Sequence, residues 1–270
     1  MANHFGGLWT KKKLNILADY LNFYTTALKN KKFKKIYIDC FAGSGEVFTR
    51  DEELIEGSAQ IALDIDNKFD EYYFIEMLDE NIAKLNELKE KHKELKINII
   101  KGDCNIILPQ ILEKINWKFD RAVLFIDPYA TQFKYSTLEK VAATKAIDVW
   151  YLFPYSAINR LLTKDGNIDE SWSNILTECL GTEDWKTELY KESTQMNLFG
   201  NEDKEKLGKQ AIQEYIFNRM SAIFSYVSPE YIELKNKNNS PLFLLFLLIS
   251  SDNIKAKALV KRVERYILKK

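Results

Sequence analysis

The stretch Ile36-Tyr37-Ile38-Asp39-Cys40-Phe41-Ala42-Gly43-Ser44-Gly45 sets the strongest limit on what this chain folds into. An apolar run of β-branched and aromatic residues, ending in an acid and then small residues, predicts a buried parallel strand entering a tight turn. Glycine at 43 and 45 permits positive φ and leaves no Cβ between the main chain and a ligand. Asp39, at the carboxyl end of that strand, is expected at the ligand crevice of an open α/β sheet. Glu46 and Val47 follow Gly45, so the Gly-Lys-Ser/Thr of a triphosphate-cradling loop is missing. Phe48 stands where a dinucleotide fingerprint needs a small residue, which argues against hydride chemistry on a nicotinamide.

Three more strands predicted by their apolar runs also end in acids. Tyr72 to Ile75 runs into Glu76, Ile97 to Ile100 into Lys101-Gly102-Asp103, and Ala122 to Ile126 into Asp127-Pro128-Tyr129-Ala130. A carboxylate such as Glu76 suits the paired hydroxyls of a ribose, and equally a helix start, since Asp79 and Glu80 follow. Asp103 could accept from the exocyclic amine of an adenine, with Ile106 or Ile107 on the ring, or it could cap the helix Ile106 to Ile115. Asp-Pro at 127 and 128 reads as a substrate-facing carboxylate or as a strand-ending turn. A fifth strand, Ile147 to Phe153, leads into Pro154-Tyr155 and Arg160, which suit either a nucleobase and phosphate or ordinary packing.

The remaining segments fit around these strands. Residues 9 to 29 show helical spacing, with Lys11, Lys12 and Lys13 in the first turn, against the macrodipole. Glu46 to Glu56 reads as an acidic loop of lid length, and Gly57-Ser58 opens a short helix. Residues 163–208 are expected to form an inserted helical subdomain over the cleft, with helices at Trp172 to Leu180 and Trp185 to Tyr190. A helix through Ile212 to Ile223 follows, and Tyr231 to Leu234 with Leu242 to Ile249 forms a terminal antiparallel hairpin. The last helix, Lys255 to Leu268, carries Lys255, Lys257, Lys261, Arg262 and Arg265, with Lys269 and Lys270 after it. It is the best polyanion patch legible in the sequence.

Composition narrows the class. Lys plus Arg equals Asp plus Glu at 39 each, so nucleic-acid binding must come from a local patch and not from bulk charge. Cys40, Cys104 and Cys179 are scattered and odd in number, which suits a reducing cytoplasm and small buried side chains, with no metal cluster expected. The Lys-rich start does not read as a signal sequence, and Pro241 to Ile249 is too short to span a bilayer. With 270 residues the chain fits one large α/β domain.

The order of strand and glycine turn, strand and Glu76, strand and Asp103, strand and Asp127, then a closing hairpin, resembles the class I methyltransferase fold. That fold is Rossmann-like, a mostly parallel seven-stranded sheet with a terminal antiparallel hairpin. More narrowly, Trp9-Thr10-x-x-Lys13-Leu14-x-Ile16-Leu17, Tyr37 to Gly45, Gly57-Ser58, Phe125 to Tyr129 and the late strand ending at Ser250-Ser251 are similar to the three-Cys-motif partner family. The resemblance implies a bacterial or phage-associated protein using S-adenosyl-L-methionine, working on nucleic acid with a radical-enzyme-like partner that carries the cysteine motif. It also implies roles: Asp39, Phe41, Gly43 and Gly45 for the methionine end, Glu76 for the ribose, Asp103 for the adenine, and Asp127, Pro128 and Tyr129 for the methyl acceptor. Amino-nitrogen methyltransferases carry Asp-Pro-Pro-aromatic there, and this chain departs from it at Tyr129-Ala130. Tyr129, Phe133 and Tyr135 are the aromatic groups in reach to substitute. A methyltransferase-like fold acting as a binding or specificity subunit, without its own catalysis, is the alternative.

Overall fold

The computed structural model of the protein describes residues 8–48, 54–196 and 202–267. A single eight-stranded sheet runs through it in the order β10-β12-β7-β6-β1-β4-β5, with β11 also on β12. The parallel part is β1 (Lys34–Asp39), β4 (Glu71–Glu76), β5 (Ile97–Lys101), β6 (Asp120–Ile126) and β7 (Ile147–Phe153). β12 (Pro241–Ile249) is antiparallel to β7, and β10 (Tyr226–Val227) and β11 (Ile232–Lys235) share its outer edge. Counting that shared edge as one position gives seven, the Rossmann-like arrangement expected for class I methyltransferases; β10 is the strand the sequence did not announce.

Strand side chains divide between two cores, which is why these strands read as unbroken apolar runs. Ile36, Ile38, Leu124, Ile126, Val149, Tyr151 and Phe246 face one core with α4 (Cys104–Lys114), α5 (Tyr135–Ala143), α6 (Tyr155–Leu161), α7 (Glu170–Leu180), α8 (Trp185–Glu188) and α9 (Lys209–Ile223). Tyr37, Phe74, Val123, Phe125, Trp150 and Leu247 face the other, covered by α1 (Leu8–Ala27), α2 (Ser58–Asp64), α3 (Asp79–Lys91) and α10 (Ile254–Ile267). On α1, Leu14, Leu17, Leu21 and Tyr24 form the buried stripe, and each buried leucine contributes about 1.5–3 kcal/mol.

Two segments differ from the sequence reading. Glu46–Phe48 and Leu54–Glu56 pair as a small ribbon, β2 and β3, where a loop was expected, and 49–53 lie outside the described residues. Within residues 163–208, α7 and α8 are followed by an antiparallel ribbon of β8 (Tyr190–Met196) and β9 (Glu202–Lys206), a strand pair that the helical reading of this segment did not include. The sequences of β8 and β9 are mostly polar and carry no apolar alternation to mark them.

Helix α7 ends at Gly181, which caps it in the left-handed region at φ 75°. A Cβ there would lie 2.0 Å from the Tyr135 ring. That ring is itself fixed, because its hydroxyl donates to Arg219 O at 2.7 Å and the Arg219 guanidinium lies 4.7 Å from its centroid. Gly181→Ala combines left-handed strain with overpacking and is expected to cost about 2–4 kcal/mol. Urea unfolding reads the loss, and an unchanged midpoint would contradict this packing account.

Candidate active site at the carboxyl edge of the sheet

Strand order brings the predicted residues to one edge. Asp127 follows β6, the Gly43–Gly45 turn follows β1, Glu76 ends β4 and Asp103 follows β5, on four neighbouring strands about 4.8 Å apart. The loops are tied together by main-chain bonds: Cys40 N to Phe125 O, Ala42 N to Ile75 O and Gly102 N to Glu76 O, each 3.0 Å.

Within the turn, Gly43 and Gly45 take φ of 61° and 81°. Nothing stands within 4 Å of the place a Cβ on Gly43 would occupy, so the main chain there is open to a ligand. Gly45 is buried instead, and the sequence did not explain why Gly57 matters to it. A Cβ on Gly57 would sit 2.9 Å from Gly45 C, and Gly57 N donates to Gly45 O at 2.7 Å. α2 therefore seats its amino end directly on the turn.

Asp39 is fully buried beneath the turn. Its carboxyl accepts from Phe41 N at 3.2 Å and Tyr37 Oη at 3.3 Å, and Ser58 bonds to it as well. Burial pushes its pKa up to about 7 against these bonds, with the neighbouring Asp127 charge adding to the rise. The folded chain therefore holds a proton on Asp39 that the unfolded chain has released. Stability contributed by that proton is full below about pH 4 and is lost as pH rises toward about 7, at up to about 1.4 kcal/mol per pH unit. Asp39→Asn should remove this slope, so that urea unfolding of the variant gains on the parent between those pH values. A constant difference across the range would contradict it. Phe41, half-buried, packs its ring 6.4 Å from Phe133 and contributes its N–H to Asp39.

Glu76 is an anchor as well as a candidate ligand group. Its Oε2 accepts from Gly43 N at 2.8 Å, and its Oε1 accepts from Met77 N and Leu78 N at 2.7 and 2.9 Å. Asp103 caps α4 through Asn105 N at 2.8 Å, so the capping alternative is realised. Asn105, which the sequence reading passed over, joins this loop to the segment after β6. Its amide nitrogen donates to Gln132 O at 2.7 Å, and its amide oxygen accepts from Lys134 N at 2.9 Å and Thr137 Oγ1 at 3.1 Å. Met77, Leu78 and Ile106 are large apolar side chains exposed beside Glu76 and Asp103.

Asp127 is partly open, its side chain 24% exposed, and its Oδ2 is paired with the Lys13 ammonium. Lys13 is nearly buried and also lies 5.2 Å from the Trp9 ring centroid, while Trp9 packs on Phe243 at 5.0 Å. The first turn of α1 is thus part of this edge, and one of its three lysines faces inward. Of the aromatic residues in reach, Phe133 and Tyr135 are core side chains, whereas Tyr129 is 55% exposed. Ala130 holds the turn in the left-handed region at φ 53°. Tyr155 is buried in the core, whereas Arg160 is exposed.

The three cysteines are free and buried, and burial pushes the Cys40 thiol up. On α10, Val260, Val263 and Ile267 are buried and Lys255, Lys261 and Arg262 exposed. The side chain of Arg265, with Lys269 and Lys270, lies outside the described residues. Among the described residues no group of His, Cys, Asp or Glu could hold a metal ion, and no helix is long and apolar enough to cross a membrane.

No family model matches the chain, and no curated protein matches it. Among solved structures it is similar to protein LPL1258 from Legionella pneumophila, at 13% identity and a TM-score of 0.53, covering 93% of this chain and 90% of that one. It is also similar to the N-terminal domain of EvdMO1, crystallised with SAH and D-fucose, at 10% identity and TM-score 0.41, covering 86% and 82%. A third is an S-adenosylmethionine-dependent methyltransferase from Clostridium acetobutylicum, at 11% identity and TM-score 0.36, covering 86% and 91%. At these values the first likeness establishes the fold and nothing finer, and the other two add no argument to it.

Proposed function

We propose that the chain is a cytoplasmic methyltransferase that uses S-adenosyl-L-methionine on an amino or ring nitrogen of nucleic acid. The observation that carries this reading is the partly open Asp127, held by Lys13 next to the uncovered main chain of the Gly43 turn. The residues fit the cofactor. Gly43 leaves room for the methionine end, Glu76 would take the ribose hydroxyls, and Asp103 with Ile106 would take the adenine. Bound there, the cofactor supplies a methyl group already activated on a sulfonium, so the protein's task is positioning. Lys13 uses one oxygen of Asp127 and fixes the carboxylate. The second oxygen and the Pro128 carbonyl would accept the hydrogens of the target amine and aim its lone pair at the methyl carbon. Tyr129 is the side chain placed to stack on the base.

The resemblance to three-Cys-motif partner proteins adds a radical-enzyme-like partner to this reading. Tyr129-Ala130 in place of Pro-aromatic favours a second reading, a specificity subunit without its own catalysis. Transfer of labelled methyl from S-adenosylmethionine to DNA or RNA separates the two. Product with the purified chain supports the enzyme. Labelled cofactor retained without product, alone and with the partner, supports the subunit.

A further inference from the structure

We propose that the amino-terminal edge of the parallel sheet, opposite the cleft, is a second contact for nucleic acid and takes the phosphodiester backbone of the polymer. The inference rests on the substrate class proposed above, but its observations lie elsewhere in the fold. Residues 29 to 35, Lys-Asn-Lys-Lys-Phe-Lys-Lys, join α1 to β1 and contain five lysines and no acid. Lys29, Lys31 and Lys32 are exposed and pair with no described carboxylate. The loop before β6 lies against the end of this same segment: Lys34 N donates to Phe119 O at 3.3 Å, and Lys35 is in register with Arg121. That loop adds the exposed Lys118, and Phe119 with 57% of its surface open. The Arg121 guanidinium stacks 4.3 Å from the Phe33 centroid, and Lys118 Nζ lies 5.5 Å from the Phe119 ring.

The acids of this edge do not cancel the exposed cations. Glu71 is buried, and although burial alone would raise its pKa, Lys34, Lys96, Asn98 and Tyr73 bond to it and hold it at about 2. Asp70 and Asp120 keep their charges, accepting only from main-chain N–H groups, of Lys35 at 2.6 Å and Asn116 at 3.3 Å, and are outnumbered by the exposed Lys29, Lys31, Lys32 and Lys118. The negative end of the α1 dipole accounts for a lysine just past Ala27, but not for Lys118 and an open Phe119 on a separate loop. Cations interleaved with exposed aromatic rings fit a single strand, whose phosphates meet the ammonium groups while a base stacks on the ring. A membrane surface would ask for more than one exposed apolar side chain here.

Geometry adds a length requirement. β1 spans six residues, so the two edges are about 20 Å apart, and a strand engaging both needs at least roughly six stacked nucleotides. The experiment is fluorescence anisotropy of the full chain with labelled 4-nucleotide and 20-nucleotide single-stranded RNA and DNA over a salt series. Lys29→Glu/Lys31→Glu/Lys32→Glu is compared with the parent, and Phe119→Ala is a separate variant. The triple variant should bind the 20-mers at least about tenfold more weakly and lower the salt slope by about 2–3. Its 4-mer binding and its calorimetric affinity for S-adenosylmethionine should be unchanged, and Phe119→Ala should weaken the 20-mers without altering the slope. Equal 20-mer affinity and slope in parent and triple variant would overturn the proposal while leaving the function above intact. Preference of the patch for phosphatidylserine vesicles over both 20-mers would also overturn it. A parent that binds S-adenosylmethionine but neither 20-mer at any salt would remove the nucleic-acid substrate, and this surface with it.

Discussion

Asp127→Asn is expected to lower methyl transfer by at least about 100-fold and to leave S-adenosylmethionine affinity within about a factor of two, because the amide no longer aims and charges the acceptor site. Asp127 stands beside the glycine turn rather than in it, and this is why the two effects separate. The single change also strands Lys13, whose side chain is only 8% exposed, and an unpaired buried ammonium costs several kcal/mol. Lys13→Met/Asp127→Asn removes both charges and should recover the melting temperature without recovering transfer. Lys13→Met alone keeps the carboxylate and loses its fixed orientation. It should reduce kcat with little change in KM, as expected of a positioning residue. Equal loss of transfer and cofactor binding in Asp127→Asn would sink the role assigned to this carboxylate.

The second large effect is expected at Glu76. Three main-chain N–H groups, from Gly43, Met77 and Leu78, converge on its two oxygens. Bonds to a charged acceptor are worth about 1.5–3 kcal/mol each, and donors left without one relax toward water. Glu76→Ala should weaken S-adenosylmethionine binding at least about tenfold and also lower the unfolding midpoint, since the same carboxylate organises the turn. Glu76→Gln keeps one acceptor oxygen and should fall between the two in both measurements. An alanine variant that binds as tightly as the parent would exclude Glu76 from the site.

Much of this was legible in the sequence because each central strand is buried on both faces and so reads as an apolar run with an acid at its end. Ile36 to Asp39, Tyr72 to Glu76 and Ala122 to Asp127 announce themselves this way, and the class I order follows from where Gly43 and the late run Leu242 to Ile249 stand. Partners distant in sequence were not legible. Nothing local marks Lys13 as the partner of Asp127, 114 positions away, nor separates it from Lys11 and Lys12. Asp39 is legible as the acid that ends its strand, but its bonds to Tyr37, Phe41 and Ser58 are not, because Ser58 lies a loop away. The choice among Tyr129, Phe133 and Tyr135 likewise needed burial, which spacing does not supply. β8 and β9 were missed because polar ribbons carry no periodic apolar signal. The lysines at 29 to 35 form a plain charged run in the sequence, and only the fold sets the Phe119 loop beside Lys34.

Calorimetric titration of the purified chain with S-adenosylmethionine and S-adenosylhomocysteine decides whether this sheet edge holds the cofactor. One site with micromolar affinity, about −8 kcal/mol, is expected for at least one of them. No heat of binding from either, in a chain whose unfolding is cooperative, would contradict it.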